Sequence, residues 1–185
     1  MEFWRAVSYV FTPAKASMFT VVVLTLFAAG NASLVNLVLG SIFLVVLPHG
    51  LRPIRIKKEE IDEETQRLKR FPTYERKISF FLLGSAVFYV LDLNALFVFA
   101  VCLSITESLL WALNHYTKVS IHTAGVTRCT TVLIYFLGYW MAIGYAVAGL
   151  VAISRLKLKA HTLGQAVLGL LVGFFGAFIT LEIML

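Results

Sequence analysis

The sequence predicts an all-α, polytopic transmembrane helical bundle. Three observations carry that expectation. Of its 185 residues, 59% are hydrophobic and only 14% charged. The mean hydropathy is +0.86, a combination few soluble domains show. Apolar stretches of helical length recur from end to end, without the alternating pattern of a membrane β-barrel. Residues 1–185 therefore read as a single integral membrane domain with six to seven membrane segments. The N-terminus lacks the charged start, short apolar core and cleavage site of a removable signal peptide. Cys102 and Cys129 fall within apolar spans and read as small buried residues, not as a disulfide or metal pair.

Residues 1–12 form an amphipathic segment in which Phe3, Trp4, Tyr9 and Phe11 surround Arg5, a composition suited to the membrane interface. Thr12 and Pro13 read as an N-cap followed by proline at the first helical position. The first span then runs to about residue 29, Gly30-Asn31 turns the chain, and a second span covers about 32–48. Both are short for the ~30 Å hydrocarbon core.

Residues 49–77 are the one long polar, basic loop, mixing nine Lys and Arg with six acidic residues. Glu63 precedes Arg67 by four residues, so part of the loop reads as a surface helix. It serves either to set topology or as the basic wall of a site. Spans follow at 78–93 and 95–113, hinged at Asp92-Leu93-Asn94. A polar linker at 114–120 carries Asn114, His115 and Lys118. Segments 121–138 and 139–153 make a hairpin turning near Gly138-Tyr139. Polar residues 154–160 then lead into a last span, 161–183.

With these boundaries Arg5, Lys15, the loop cations, Lys118, Arg155, Lys157 and Lys159 all emerge on one membrane face. Arg128 lies inside the fifth span, toward the same end. By the positive-inside rule this basic face is cytoplasmic in a multi-pass cell-membrane protein. Two polar stretches share it: Lys118-Val119-Ser120-Ile121-His122, entering the fifth span, and Ser154-Arg155 through His161, entering the seventh. One hairpin joins them, so the two histidines can meet at one level. A pair of imidazoles can divide nucleophilic attack from proton donation.

These residues resemble the type 2 phosphatidic acid phosphatase superfamily. Its third motif, S-R-x5-H-x3-D, is matched by Ser154, Arg155 and His161, with Gln165 in place of the aspartate. Its second, P-S-G-H, is matched by Ser120 and His122, with Val119 for proline and Ile121 for glycine. The first, K-x6-R-P, is matched in spacing by Lys69 and Arg76, with Lys77 for proline. The resemblance covers about residues 69–183. It implies a metal-independent lipid phosphate or diphosphate phosphatase needing no cofactor and no nucleic-acid partner. His161 would be the nucleophile that forms a phosphohistidine, and His122 the acid. Lys69, Arg76, Ser120 and Arg155 would hold phosphate oxygens, with Lys118 as a further cation. The chemistry agrees with first principles, since a neutral imidazole attacks and fixed cations stabilise a transferring phosphoryl group.

The departures have physical consequences. Gln165 lies on the helical face of His161 and can accept its ring N–H, but brings no negative charge. An Asp-to-amide change in the serine-protease triad costs about 10⁴ in kcat. Ile121 restricts the backbone where glycine would allow close approach. Glu107, Trp111, Asn114 and Lys118 form one helical stripe. An unpaired intramembrane carboxylate is costly, so Glu107 is expected to pair with Arg128 or Arg155, or to supply the charge Gln165 lacks. Gln165, Gly169 and Gly173 share a stripe expected to face the bundle interior. His49 and His115 read as interfacial residues. A non-catalytic anionic-lipid binder or scaffold and a lipid-linked phosphotransferase remain as alternatives. Metal-dependent prenyl transfer is disfavoured, because aspartate-rich pairs are missing, and no span shows the paired breaks of a transporter.

Overall fold

The computed structural model describes residues 1–28, 33–50 and 63–184. Within them the chain is all helical. The helices are α1 (Glu2–Val10), α2 (Pro13–Phe27), α3 (Leu34–Gly50), α4 (Glu63–Leu68), α5 (Phe71–Val90), α6 (Asn94–Leu113), α7 (Ile121–Leu137), α8 (Ile143–Lys157) and α9 (Leu163–Met184). A π turn at Ile42–Val46 widens α3, and a 3-10 turn at Tyr139–Ala142 leads into α8. The expected Gly30-Asn31 turn, residues 51–62 of the basic loop and the Glu63 side chain lie outside the described residues.

Among the described residues, three helical units suffice by length and composition to cross a membrane: α6, Tyr139–Lys157 and α9. A fourth is added if α1 and α2, bent by 46°, count as one span. The helices expected at the other predicted segments are present. However, α3 and α7 are short, and α5 carries Glu75, Arg76 and Lys77 in its first half. That helix starts at Phe71, seven residues before the expected 78, because Pro72 suits a helical first turn and Lys77 finds an anion. Likewise α8 continues through Ser154 and Arg155, which stand on a helix and not in a loop.

Local chemistry explains the boundaries. The Thr12 side chain accepts from Lys15 N–H, and Pro13 takes the first helical position. Asp92 (φ 56°) closes α5: Leu93 N–H donates to Phe88 C=O (2.9 Å) and Asp92 N–H to Tyr89 C=O (3.2 Å). Lys159 (φ 50°) closes α8 in the same way, through Ala160 N–H to Arg155 C=O (3.0 Å) and Lys159 N–H to Leu156 C=O (2.9 Å). Both are six-to-one caps with a left-handed residue after the helix end.

At the centre stands α7, buried at every position from Thr123 to Leu133. Its small and hydroxylated residues admit α2, α8 and α9 on its sides. The hydroxyls return to their own helix, Thr130 to Val126 C=O (3.0 Å) and Thr131 to Thr127 C=O (3.0 Å). On α9, Gly173 lets the backbones touch, since a Cβ there would stand 3.0 Å from the Ala124 carbonyl carbon. Helices α5 and α6 form a hairpin against α9, and α1 lies on α8.

Candidate functional site

Two short connections deliver the histidines to one place. After the Lys159 turn the chain reaches His161, which is buried, and then Thr162, which starts α9. Gln165 N–H donates to Thr162 Oγ1 (3.3 Å) and Thr162 N–H donates to Gln165 Oε1 (3.3 Å). This reciprocal pair is a capping box, which calls for Thr followed three residues later by Gln or Glu. It is a signal the sequence carries openly and motif matching passed over. Gln165 Oε1 also lies 3.1 Å from His161 Nδ1. A backbone N–H can only donate, so Oε1 is the acceptor, Nδ1 carries the hydrogen and Nε2 keeps its lone pair.

The other histidine is tied to the same turn. Ser120 N–H donates to Gln165 C=O (3.1 Å), and Thr123 Oγ1 donates to Ala166 C=O (3.2 Å). These bonds fix the start of α7 against the start of α9 and turn Gln165 inward, as the glycine stripe leads one to expect. Ser120 is the N-cap of α7, yet its hydroxyl makes no cap bond. His122 follows two residues on, within electrostatic reach of Arg155, His161, Arg70 and Lys77.

Ser120 Oγ, His122 Nδ1 and Arg155 Nε are buried here and have no hydrogen-bond partner among the described residues. The other edge of Arg155 is held, Nη1 donating to Ser8 Oγ on α1 (2.6 Å). Beside it, Ser154 Oγ donates to Trp4 C=O (2.7 Å), so this serine serves α1 and not the histidines. Burial first, then the Arg70 guanidinium, push the His161 ring down to about 4. Arg155 and Lys118 act in the same sense, and the Gln165 hydrogen bond opposes them. His161 is therefore a neutral imidazole at pH 7.

The third cation differs from the expectation. Arg70 donates from Nη1 to Val119 C=O (3.1 Å) and acts on both histidines. Lys69 is exposed, while Arg76 is half-buried, acts on Lys77 and keeps a buried Nε with no partner among the described residues. Stitching between α4 and the 114–119 linker brings Arg70 to this place. Arg67 Nη1 donates to His115 C=O (2.8 Å), Asn114 Nδ2 to Arg67 C=O (2.8 Å), and Lys118 Nζ to Gln66 Oε1 (2.6 Å).

Glu107 belongs to a second cluster. It accepts from Lys77 Nζ (3.3 and 3.4 Å) and Arg128 Nη1 (3.2 Å), all three side chains being almost fully buried. The expected Arg128 pair is present, while Arg155 bonds Ser8 and Gln165 supplies the His161 contact. Every residue of the stripe Glu107, Trp111, Asn114, Lys118 bonds the segment before it, Glu107 also reaching forward to Arg128, and Trp111 Nε1 donates to Glu75 Oε1 (3.4 Å). His115 packs at a tilt against Phe71 (4.5 Å between centroids) and edge-on against Trp111 (4.9 Å).

In comparisons with protein-family models, curated proteins and solved structures, nothing matches this chain.

Proposed function

We propose that the chain is a membrane-embedded lipid phosphate or diphosphate phosphatase working through a phosphohistidine. The observation that carries this reading is the trio of unpartnered buried atoms, Ser120 Oγ, His122 Nδ1 and Arg155 Nε, beside a neutral His161. Buried polar groups are normally paired. A tetrahedral oxyanion would satisfy all three together, and Arg70, Arg155 and Lys118 would balance its charge.

In the proposed reaction His161 Nε2 attacks phosphorus, forming an N–P bond as the P–O bond to the lipid breaks. His122, made imidazolium by the adjacent phosphate dianion, gives its proton to the leaving alkoxide. Gln165 Oε1 accepts the Nδ1–H of the phosphorylated ring. Water then attacks phosphorus and yields its proton to His122. The N–P bond breaks and inorganic phosphate leaves. The remaining apolar helices would serve as further spans of a six- to seven-segment bundle, with the basic face cytoplasmic.

A second reading, binding of anionic lipid headgroups without turnover, is favoured by the missing carboxylate at Gln165. Labelled lipid phosphate, quenched rapidly, separates the two. Acid-labile label on His161, lost in His161→Ala, is the result expected for the phosphatase. Equal phosphate release by wild type and His161→Ala would end that reading.

A further inference from the structure

A lateral groove of about 690 Å³ opens between α2 and α8, with α7 as its floor. Its walls are apolar, among them Phe19, Phe27, Leu133 and Trp140, and Lys15 stands at one end. From Lys15 to Phe27 it follows twelve helical residues, about 18 Å. That is close to the depth of one leaflet, half of the ~30 Å hydrocarbon core. The floor is one stripe of α7, and Val126 at its basic end is one turn from His122 on the same face. Lys15 is exposed at that end, its ammonium 3.5 Å over the Tyr9 ring and donating to Tyr9 C=O (2.9 Å). The groove thus has a cation, Lys15, at one end, a floor on α7 that runs to within one helical turn of His122, and apolar walls along the rest of its length.

We propose that this groove holds the tail of a single-tailed lipid phosphate, its phosphate toward Lys15 and His122. The proposal deepens the phosphatase reading by naming the substrate class, and it rests on that reading for the fate of the headgroup. One tail is argued by geometry. The second groove, about 460 Å³ and lined by Tyr145, Leu171 and Phe175, lies across α8. Two chains from one headgroup would have to straddle that helix. Val10 at the end of α1 and Phe11 just after it also line the groove, and α1 is itself bonded to Ser154 and Arg155. Tail and phosphate sites therefore share a wall.

The test uses the full chain in phosphatidylcholine vesicles and a farnesyl phosphate carrying a photoreactive group in its tail. Crosslinks are expected on α2, α7 and α8, displaced by farnesyl phosphate at least tenfold better than by farnesol or dioleoyl phosphatidate. Ile143→Trp and Val147→Trp fill the groove from its rim. They are expected to cut labelling about fivefold and to raise KM for farnesyl phosphate about tenfold, leaving para-nitrophenyl phosphate hydrolysis unchanged. Labelling spread over α6 and α9, or equal displacement by farnesol, overturns the proposal, since the groove then holds bulk lipid. Equal displacement by phosphatidate overturns the single-tail assignment. If wild type hydrolyses neither ester, the phosphatase reading fails, and the displacement pattern still decides the groove.

Discussion

Two buried polar clusters sit in this bundle, and they differ in where their negative charge comes from. Lys77, Glu107 and Arg128 contain their own anion. The charges that lower the two rings are cations, Arg70 and Arg155 on both, Lys77 on His122 and Lys118 on His161. Removing charges from water is expensive, and a buried pair is viable chiefly when its charges meet each other. The first cluster pairs its two cations with one internal carboxylate and holds α5, α6 and α7 together, although Arg128 Nε and Nη2 keep no partner among the described residues. In the proposed function the second takes its anion from the substrate. Composition alone does not separate the two, since each has arginine and lysine at helical spacing.

Substitution should split them cleanly. His161→Ala, the largest effect, is expected to lower turnover by about 10⁴ or more, as loss of a nucleophile does in a hydrolase triad. Thermal unfolding in detergent should barely change. Glu107→Gln is expected to do the reverse. It strands two buried cations and should cost about 3–5 kcal/mol of stability, with activity per folded molecule retained. Replacing Lys77, Glu107 and Arg128 together by Met, Leu and Met should recover most of that loss, because an apolar set of similar size is often neutral or better. If Glu107→Gln instead abolishes turnover at unchanged stability, the two clusters are one site and the contrast collapses.

Acidity sharpens the comparison further. A ring lowered to about 4 stays neutral at pH 5, where an ordinary histidine is mostly protonated, a difference of about 30-fold in neutral fraction. Nitrogen chemical shifts of labelled His161 should report the neutral form from pH 8 down to 5. The linkage follows in sign. Between about 6.5 and 4 the unfolded chain binds a proton the folded site refuses, so acidification through that window destabilises the protein. The pH dependence of unfolding should flatten in His161→Ala. A ring that titrates near 6.5 would mean that the site is wet and loosely held.

Gln165 is where the two kinds of cluster come closest. The capping box needs Gln or Glu at this position, so Gln165→Glu keeps the bond to Thr162 N–H while giving the site its own carboxylate. Turnover is expected to rise about tenfold through a more basic His161, and Gln165→Asp, too short for the box, should gain less. No gain from either would favour headgroup binding over catalysis.

Much of this was legible in the chain. The helix limits around Pro13, Asp92, Gly138 and Thr12 follow from local chemistry that a sequence shows. The pairing of Glu107 with Arg128 follows from the cost of a lone charge in a membrane. His161 and Gln165 were visible as one helical face. What escaped was long-range. Arg70 was hidden among nine loop cations, since only the docking of α4 on the 114–119 linker selects it. Lys77 looked like a broken motif and proved to be half of an ion pair with a residue thirty positions away. Ser8 gave no signal, because nothing local says that an interfacial helix will reach a guanidinium on α8.

That contact supports the smallest effect. Ser8 Oγ holds Arg155 Nη1, leaving Nε unpartnered on the other edge of the guanidinium. If Ser8 positions the fork, Ser8→Ala frees the side chain to rotate and weakens its grip on phosphate. A single hydrogen bond to a charged group supports about 1 kcal/mol or somewhat more here, so kcat/KM should fall about fivefold. Most of the loss should fall in KM, since Arg155 would grip phosphate before and during transfer alike. Ser8→Thr keeps a hydroxyl and should restore it. The same variants test whether α1 does more than rest on the membrane surface. Disrupting its lipid-facing side through exposed Phe3 and Tyr9 should leave KM unchanged if the bond to Arg155 suffices, and raise it as Ser8→Ala does if the bilayer must hold α1 in place.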